Sequence, residues 1–344
     1  MEKKIDITDF EASNIVIDMA KSLGIEHEVT NKNEYCLRIP SSVGSGYVKA
    51  YNFDHGVSVI ETDYLLKDDL VFELQRGVIH PLKIIFNRES SFYHKFKKEE
   101  SFREIKTLQS LMVSSTLTDN HMFKIPANES VSIFSIEINR KLFEKKIEDF
   151  LSDMNDELVE LFRDVNGIKQ FIYIGNYSIN VSETITEFTE SELEGFMRSV
   201  SLEGKAYDVL TSHIQQYIDD LNSPNKRKIL RQATIERLKE AVEIIENEID
   251  TVDNIDILAK RVGINQNTLQ RAFKSLYNSS IKEYITNHRI EKAKELLETT
   301  DLNITEITYK IGINSRSYFS KIFKKRYGLT PKAYKFKIRQ TNTG

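Results

Sequence analysis

The sequence predicts an α+β multidomain chain: an N-terminal β-rich domain, sandwich- or barrel-like and carrying helices, then an all-α C-terminal domain with two helix-turn-helix units. Three observations predict it. From about Glu34 to Ile138 short runs rich in Val, Ile, Phe, Tyr and Thr alternate with polar turns. From Asn139 onward the apolar spacing becomes helical. A helix–glycine–helix pattern then occurs twice near the C-terminus. At 344 residues the chain is too long for one ordinary domain.

Taken in order, Ile7 to Leu23 has helical spacing, with Thr8 or Asp9 as cap and Gly24 as stop. The runs GYVKAYNF, VSVIETDYLL, LVFELQ, LKIIFN, SFYHKF, TLQSLMVSS and SVSIFSIEI read as strands. Pro40, Pro81 and Pro126 fall at their starts or in the breaks, as strands require. This β-rich stretch, 1–138, is expected to serve ligand binding or dimerisation. Asn139 caps a helical run, RKLFEKKIEDFL, and FIYIGNYSI is a short strand or a turn-forming interlude. Glu190 to Leu221 reads as helices, with Leu193, Phe196, Met197 and Val200 on one face. The stretch 139–224 is therefore read as a helical connector and dimerisation region. It ends at the linker candidate Asn222-Ser223-Pro224-Asn225. Helical spacing resumes near Ala233 with Ile235, Leu238, Val242, Ile245 and Ile249.

Composition narrows the function classes. Apolar residues at 40% allow a sizeable core, and 29% charged residues with 5 Pro argue against a disordered or fibrous chain. The single cysteine, Cys36, excludes an internal disulfide framework and a Cys-rich zinc site, and fits a reducing compartment. No run approaches ~18 apolar residues, and MEKKIDITDF lacks the apolar segment of a signal peptide, so the expected location is cytoplasmic. The net charge of −4 is unevenly distributed. From Ile255 onward 18 Lys+Arg stand against 7 Asp+Glu, leaving 30 of the 48 basic and 45 of the 52 acidic residues upstream. A basic block on an acidic body points one end of the chain at a polyanion.

The repeat gives that block its form. Leu258 to Asn278, LAKRVGINQNTLQRAFKSLYN, corresponds to Ile307 to Gly328, ITYKIGINSRSYFSKIFKKRYG. Gly263 and Gly312 match, each followed by Ile-Asn, and so do Phe273 and Phe323. In each copy a short amphipathic helix ends at a glycine able to take positive φ. Ile264 or Ile313 plugs the turn. Asn265, or Asn314 with Ser315, caps a second helix. That helix turns Leu269, Ala272, Phe273 and Leu276, or Phe319, Ile322 and Phe323, inward. Tyr318 is also read as core. The opposite face carries amide, guanidinium, ammonium and hydroxyl groups, which the major groove accepts. The connector from Ser280 to Glu298 carries apolar residues at helical spacing and would hold the two units about one DNA turn of ~34 Å apart.

These residues resemble the AraC-type regulators. The matching pieces are Leu258-Ala259-x-x-Val262-Gly263, Leu269-Gln270-Arg271-x-Phe273-Lys274, Arg289-Ile290-x-x-Ala293-x-x-Leu296-Leu297, Tyr318-Phe319-Ser320-x-x-Phe323-Lys324-x-x-Tyr327-Gly328 and Thr330-Pro331-x-x-Tyr334. The chain departs from the pattern at Thr308, Ile313 and Asn278. The resemblance implies an AraC-type DNA-binding domain over 233–338. It also implies double-stranded DNA as partner, a transcription activator's contact with RNA polymerase, and a ligand or dimerisation domain upstream. By the same resemblance Asn267, Gln270, Arg271, Arg316, Ser317, Ser320 and Lys321 are the base-contact candidates. Arg can be bidentate to guanine, and Gln or Asn to adenine. Lys260, Lys274, Lys324, Lys325 and Arg326 are the phosphate candidates. The bland alternative is a solvated face that meets phosphates only.

The stretch LEGKAYDVLTSHIQQYIDD, Leu202 to Asp220, and NRKLF from Asn139 resemble more weakly the branch that senses iron–siderophore complexes. That resemblance implies a ferric siderophore as effector. The alternative is an N-terminal domain, in a homodimer, that only dimerises or meets protein partners.

No catalytic set, metal site or cofactor site emerges from the sequence, and an enzyme is not expected. His27, His55, His80, His94 and His121 lack the spacing of a helical metal motif. His80 and His94 could face each other across a hairpin, yet satisfied or solvated histidines are the simpler reading. Cys36, between Tyr35 and Leu37, reads as core. GSGYVKA lacks the spacing and the following helix of a phosphate loop.

Overall fold

The structure is a computed structural model that describes residues 3–7, 11–30, 34–74, 81–222, 226–252, 254–277 and 279–341. Thr8, Asp9, His80, Ser223-Pro224-Asn225, Asn278 and the Leu276 side chain lie outside the described residues. The chain divides into two compact units, Met1–Arg231 and Gln232–Gly344.

The first unit opens with β1 (Lys3–Ile7), α1 (Ala12–Leu23), β2 (Glu28–Thr30), β3 (Glu34–Arg38), β4 (Gly44–Asn52) and β5 (Val57–Leu66). It continues with β6 (Leu70–Leu74), β7 (Leu82–Asn87), β8 (Phe92–Phe96), β9 (Arg103–Ile105), β10 (Gln109–Ser114), β11 (His121–Ile125) and β12 (Ser130–Ile138). Then come α2 (Arg140–Ile147), α3 (Asp156–Arg163), β13 (Phe171–Asn176), α4 (Ile179–Thr189) and α5 (Gly195–Asn222).

The strands form two sheets. One has the order β1-β6-β11-β8-β9, the other β13-β10-β7-β12-β5-β4-β3-β2. Their inner faces and α1 share one core that includes Ile15, Met19, Ile60, Phe72, Phe92, Leu111 and Val113. The expected α+β architecture is thus the observed one, with the β-rich part leading.

Two local readings change, at the first helix and at the helix expected from Glu190, and one open reading resolves. The first helix starts at Ala12, not near Ile7, and its N-cap Glu11 makes no side-chain capping bond. Lys3–Ile7 is instead a strand, because it adds parallel to β6 and forms the edge of that sheet. FIYIGNYSI resolves as β13, paired antiparallel with β10. The helix expected from Glu190 starts at Gly195, so Leu193 lies ahead of it, 46% exposed, and the face at Phe196, Met197 and Val200 is 78%, 62% and 51% exposed.

His94 faces His121; the His80 of the expected His80–His94 pair lies outside the described residues. The strand order sets β8 beside β11, with Phe123 opposite His94 and Phe96 opposite His121. The His94 Nε2 lies 3.2 Å from the His121 Nδ1, and an Arg103 Nη1 lies 3.3 Å from the His94 Nδ1. Arginine only donates, so the His94 Nδ1 accepts and its Nε2–H donates to His121. Burial, helped by the Arg103 charge, lowers the His94 pKa to about 3 and keeps the ring neutral.

The second unit is helical throughout. It comprises most of α6 (Lys226–Asn247), then α7 (Ile255–Arg261), α8 (Gln266–Tyr277), α9 (Ile281–Thr299), α10 (Ile304–Lys310), α11 (Arg316–Tyr327) and α12 (Pro331–Thr341). Ile290, Ala293, Leu296 and Leu297 of α9 pack with Ile307, Ile311, Ile313, Phe319 and Phe323 in one core. The capped helix starts explain the boundaries. Ser280 caps α9 by accepting from the Glu283 N–H, and Asn303 with Glu306 forms a reciprocal capping box on α10.

Candidate nucleic-acid interface

Each helix-turn-helix is built by the same turn. Gly263 and Gly312 have φ of +70° and +69°, a left-handed conformation that disfavours side chains. Behind each glycine the isoleucine N–H reaches back along the first helix, Ile264 to the Ala259 carbonyl at 3.1 Å and Ile313 to the Thr308 carbonyl at 3.0 Å. The glycine N–H groups bond to Lys260 and Tyr309 at 3.2 and 2.9 Å, which completes a Schellman stop. The second helices start on Asn265, which accepts from Thr268 at 2.8 Å, and on Ser315, which accepts from Tyr318 at 3.2 Å. Thr308, a departure from the family pattern, is buried with its hydroxyl donating to the Ile304 carbonyl at 2.5 Å. Ile313 joins the core as expected.

The surroundings of the two glycines differ. A Cβ on Gly263 would come no nearer than 3.7 Å to any neighbour, the Arg237 side chain being nearest, and Arg237 donates to the Gly263 carbonyl at 2.7 Å. On Gly312 it would lie 2.5 Å from the Asp250 carbonyl oxygen and 2.8 Å from the Asp250 Cα. Arg289 of α9 holds this junction by donating to the carbonyls of Ile249 at 2.9 Å and Val252 at 3.4 Å. The segment ahead of the first unit is thereby seated against the turn of the second.

The recognition-helix cores are Leu269, Ala272 and Phe273 in α8, and Phe319 and Phe323 in α11, all buried, with Ile322 half-buried. The opposite face is exposed at Asn267, Gln270, Arg271 and Lys274 in α8. In α11 it is exposed at Arg316, Ser317, Lys321, Lys324, Lys325 and Arg326, with Ser320 half-buried. All seven base-contact candidates therefore stand on the two recognition helices.

The phosphate candidates divide. Lys274, Lys324 and Lys325 have no side-chain partner among the described residues. Lys260 pairs with Asp256 at 2.6 Å, and Arg326 pairs with Glu291.

Tyr318 is a correction: it is 50% exposed, not core. It precedes the inward Phe319 by one residue, so the 100° helical step turns it away from the core. That spacing alone could have found it. Arg289 carried no positional signal beyond its resemblance to the family.

Among the described residues there is no cluster of three or more side chains able to hold a metal, and no helix long and apolar enough to cross a membrane. Two unequal helix-turn-helix units on one connector helix define a protein of the helix-turn-helix class. Residues 258–336 match the family described as a helix-turn-helix domain. Regulatory protein SoxS of Salmonella typhimurium is 33% identical over 97 residues, covering 28% of this chain and 91% of that protein. A histidine kinase P4 of Formosa agariphila is 36% identical over 99 residues, which cover 28% of this chain and 7% of the kinase. Two further curated relatives are covered over 58% and 54% of their lengths. The DNA-binding domain of AdpA, solved with a target DNA, is 27% identical and covers 30% of this chain and 94% of that one, with a TM-score of 0.29. The chain belongs to the AraC-type helix-turn-helix family.

Proposed function

We propose that this chain is a sequence-specific, DNA-binding transcription regulator whose two recognition helices enter successive major grooves of one duplex. The observation that carries the proposal is the pair of exposed polar faces on α8 and α11, the first helix packed on α9 and the second sharing a core with it. Asn267, Gln270, Arg271, Arg316, Ser317, Ser320 and Lys321 are assigned to base edges, and Lys274, Lys324 and Lys325 to phosphates. Lys260 and Arg326 contribute there only by leaving their carboxylate partners. The names of the relatives, regulatory proteins among them, support the same reading. Selection of bound DNA from a random pool, followed by affinity measurement at several salt concentrations, tests it. Equal affinity for selected and random duplexes at moderate salt would overturn sequence specificity.

The first unit is proposed to hold a small molecule that shifts DNA affinity, by binding one state of the chain better than another. A cavity of about 110 Å³ between its sheets supports this. The cavity is far smaller than a ferric siderophore, so a siderophore effector would have to act elsewhere on the chain. Absence of iron–siderophore binding in calorimetry would remove it.

The exposed face of α5 supports self-association with a second copy. Its three apolar side chains, Phe196, Met197 and Val200, with Leu193 just ahead of the helix, offer on the order of 400 Å² per copy, the apolar centre of an interface whose polar rim would supply the rest. A Cβ on Gly204 meets nothing within 4 Å. A two-fold axis at Val200 would set Phe196 of one copy opposite this gap in the other. Phe196→Glu is expected to make the chain monomeric in sedimentation; an unchanged mass would remove the interface. Contact with RNA polymerase would follow if the regulator activates, which transcription in vitro on a selected site would test.

A further inference from the structure

The cavity of the first unit is hydrocarbon over most of its wall, with Met19, Ile85 and Phe123 typical of the lining. Set into that wall are two charged residues, Lys83 and Glu137, whose side chains are only 2% and 5% exposed and pair with each other. They stand directly opposite on β7 and β12. Ser135, also in the wall, donates to the second oxygen of Glu137 at 2.6 Å. A buried ion pair is a weak source of stability, because apolar residues of the same bulk often serve the fold as well or better. Its place at the edge of an apolar space is better explained by what enters that space.

Resting on the proposal that the first unit holds an effector, we infer that this cavity binds a small neutral amphiphile. Its hydroxyl or amide N–H donates to Glu137, and its compact hydrocarbon body fills the space between the sheets. The pair sets the charge. Lys83 and Glu137 neutralise each other, so a ligand carboxylate would meet Glu137 with no counterion left over, and an ammonium would meet Lys83 likewise. A carboxylate offers about four acceptor positions. Lys83 and Ser135 occupy two, and a ligand donor takes a third, with its oxygen beside the ammonium. Size follows from volume. An apolar cavity of about 150 Å³ is known to take benzene, so about 110 Å³ limits the body to at most one six-membered ring.

Calorimetry on the full chain with probes of matched bulk tests this. Phenol and cyclohexanol carry the neutral donor. Anisole has an acceptor without a donor, toluene has neither, and benzoate and benzylamine carry charge. Phenol and cyclohexanol are expected to bind about tenfold or more tightly than the other four. The double variant Lys83→Met with Glu137→Leu leaves no lone charge behind. It is expected to bind phenol and toluene alike while its circular dichroism stays that of the parent. Equal or tighter binding of toluene, benzoate or benzylamine, no binding by any probe, or a phenol preference that survives in the double variant would each overturn the inference. DNA affinity, measured on the same samples with and without probe, separates the two levels. A charged probe that binds and shifts DNA affinity overturns the ligand class and leaves effector control standing. Unchanged DNA affinity with phenol bound confirms the class and removes the control.

Discussion

On one backbone the two recognition helices hold out different chemistry: Asn267 against Ser317, Gln270 against Ser320, Arg271 against Lys321, and Thr268 against the exposed Tyr318. The first helix offers two amides and a guanidinium, the groups able to grip a base edge with two hydrogen bonds. The second offers one guanidinium, Arg316 at its first position, then two hydroxyls and the Lys321 ammonium, and it ends in the run Lys324, Lys325, Arg326. On the proposed function the difference implies a division of labour, with more two-bond base readers on the first helix and more charge-driven grip on the second. The turns differ in the opposite sense. The first stands open apart from Arg237, and the second is pressed against Asp250.

The turns provide the largest test. Gly312→Ala combines a left-handed backbone, about 1–2 kcal/mol, with overpacking against backbone, about 1–3 kcal/mol. Urea unfolding of the full chain is expected to register that sum, against about 1–2 kcal/mol for Gly263→Ala. Equal losses would erase the distinction between the turns. Next comes recognition. Gln270→Ala or Arg271→Ala is expected to lose about 1–3 kcal/mol on the selected site and to relax preference at one base pair. Ser317→Ala or Ser320→Ala should lose about 0.5–1.5 kcal/mol, a single neutral hydrogen bond. A larger loss at the serines, in binding measured against single-base variants of the site, would invert the division of labour.

Charge sharpens the same contrast. Replacing Lys324 or Lys325 by Gln should weaken every duplex alike and reduce the slope of log affinity against log salt by about 1 for each phosphate no longer neutralised. A base-specific change at either lysine would move it from phosphate to base. The smallest effect belongs to Lys260→Gln, because that ammonium is already paired with Asp256. Its salt slope should change by well under about 1.

The C-terminal architecture was legible because its determinants are local. A glycine that must take positive φ, a capping Asn or Ser and an apolar residue at each turn all act within a few residues of one another. The first unit was legible only as a class. That β8 lies beside β11, and so brings His94 to His121, depends on strand order, which no local pattern carries. Lys83 and Glu137 looked like ordinary charges. Each interrupts an apolar strand run, and that signal points to an inward charge only once both faces of the sheet are known to be covered. The face at Phe196 and Met197 had the spacing of a core helix, and periodicity does not distinguish burial in one's own chain from burial in another.

If both recognition helices enter one duplex as proposed, the Arg289 clamp has a consequence written in the genome rather than in the protein. A connector of 19 residues, tied to the loop ahead of the first unit, behaves as a rod about 28 Å long. Each base pair inserted between two half-sites turns one of them by about 35° around the duplex. A stiff rod cannot follow that rotation. Point substitutions within an operator would therefore be graded in effect and tolerated singly, while insertions and deletions of one base pair would be read as near-complete loss. Binding sites for this chain should drift in letters but hold their length.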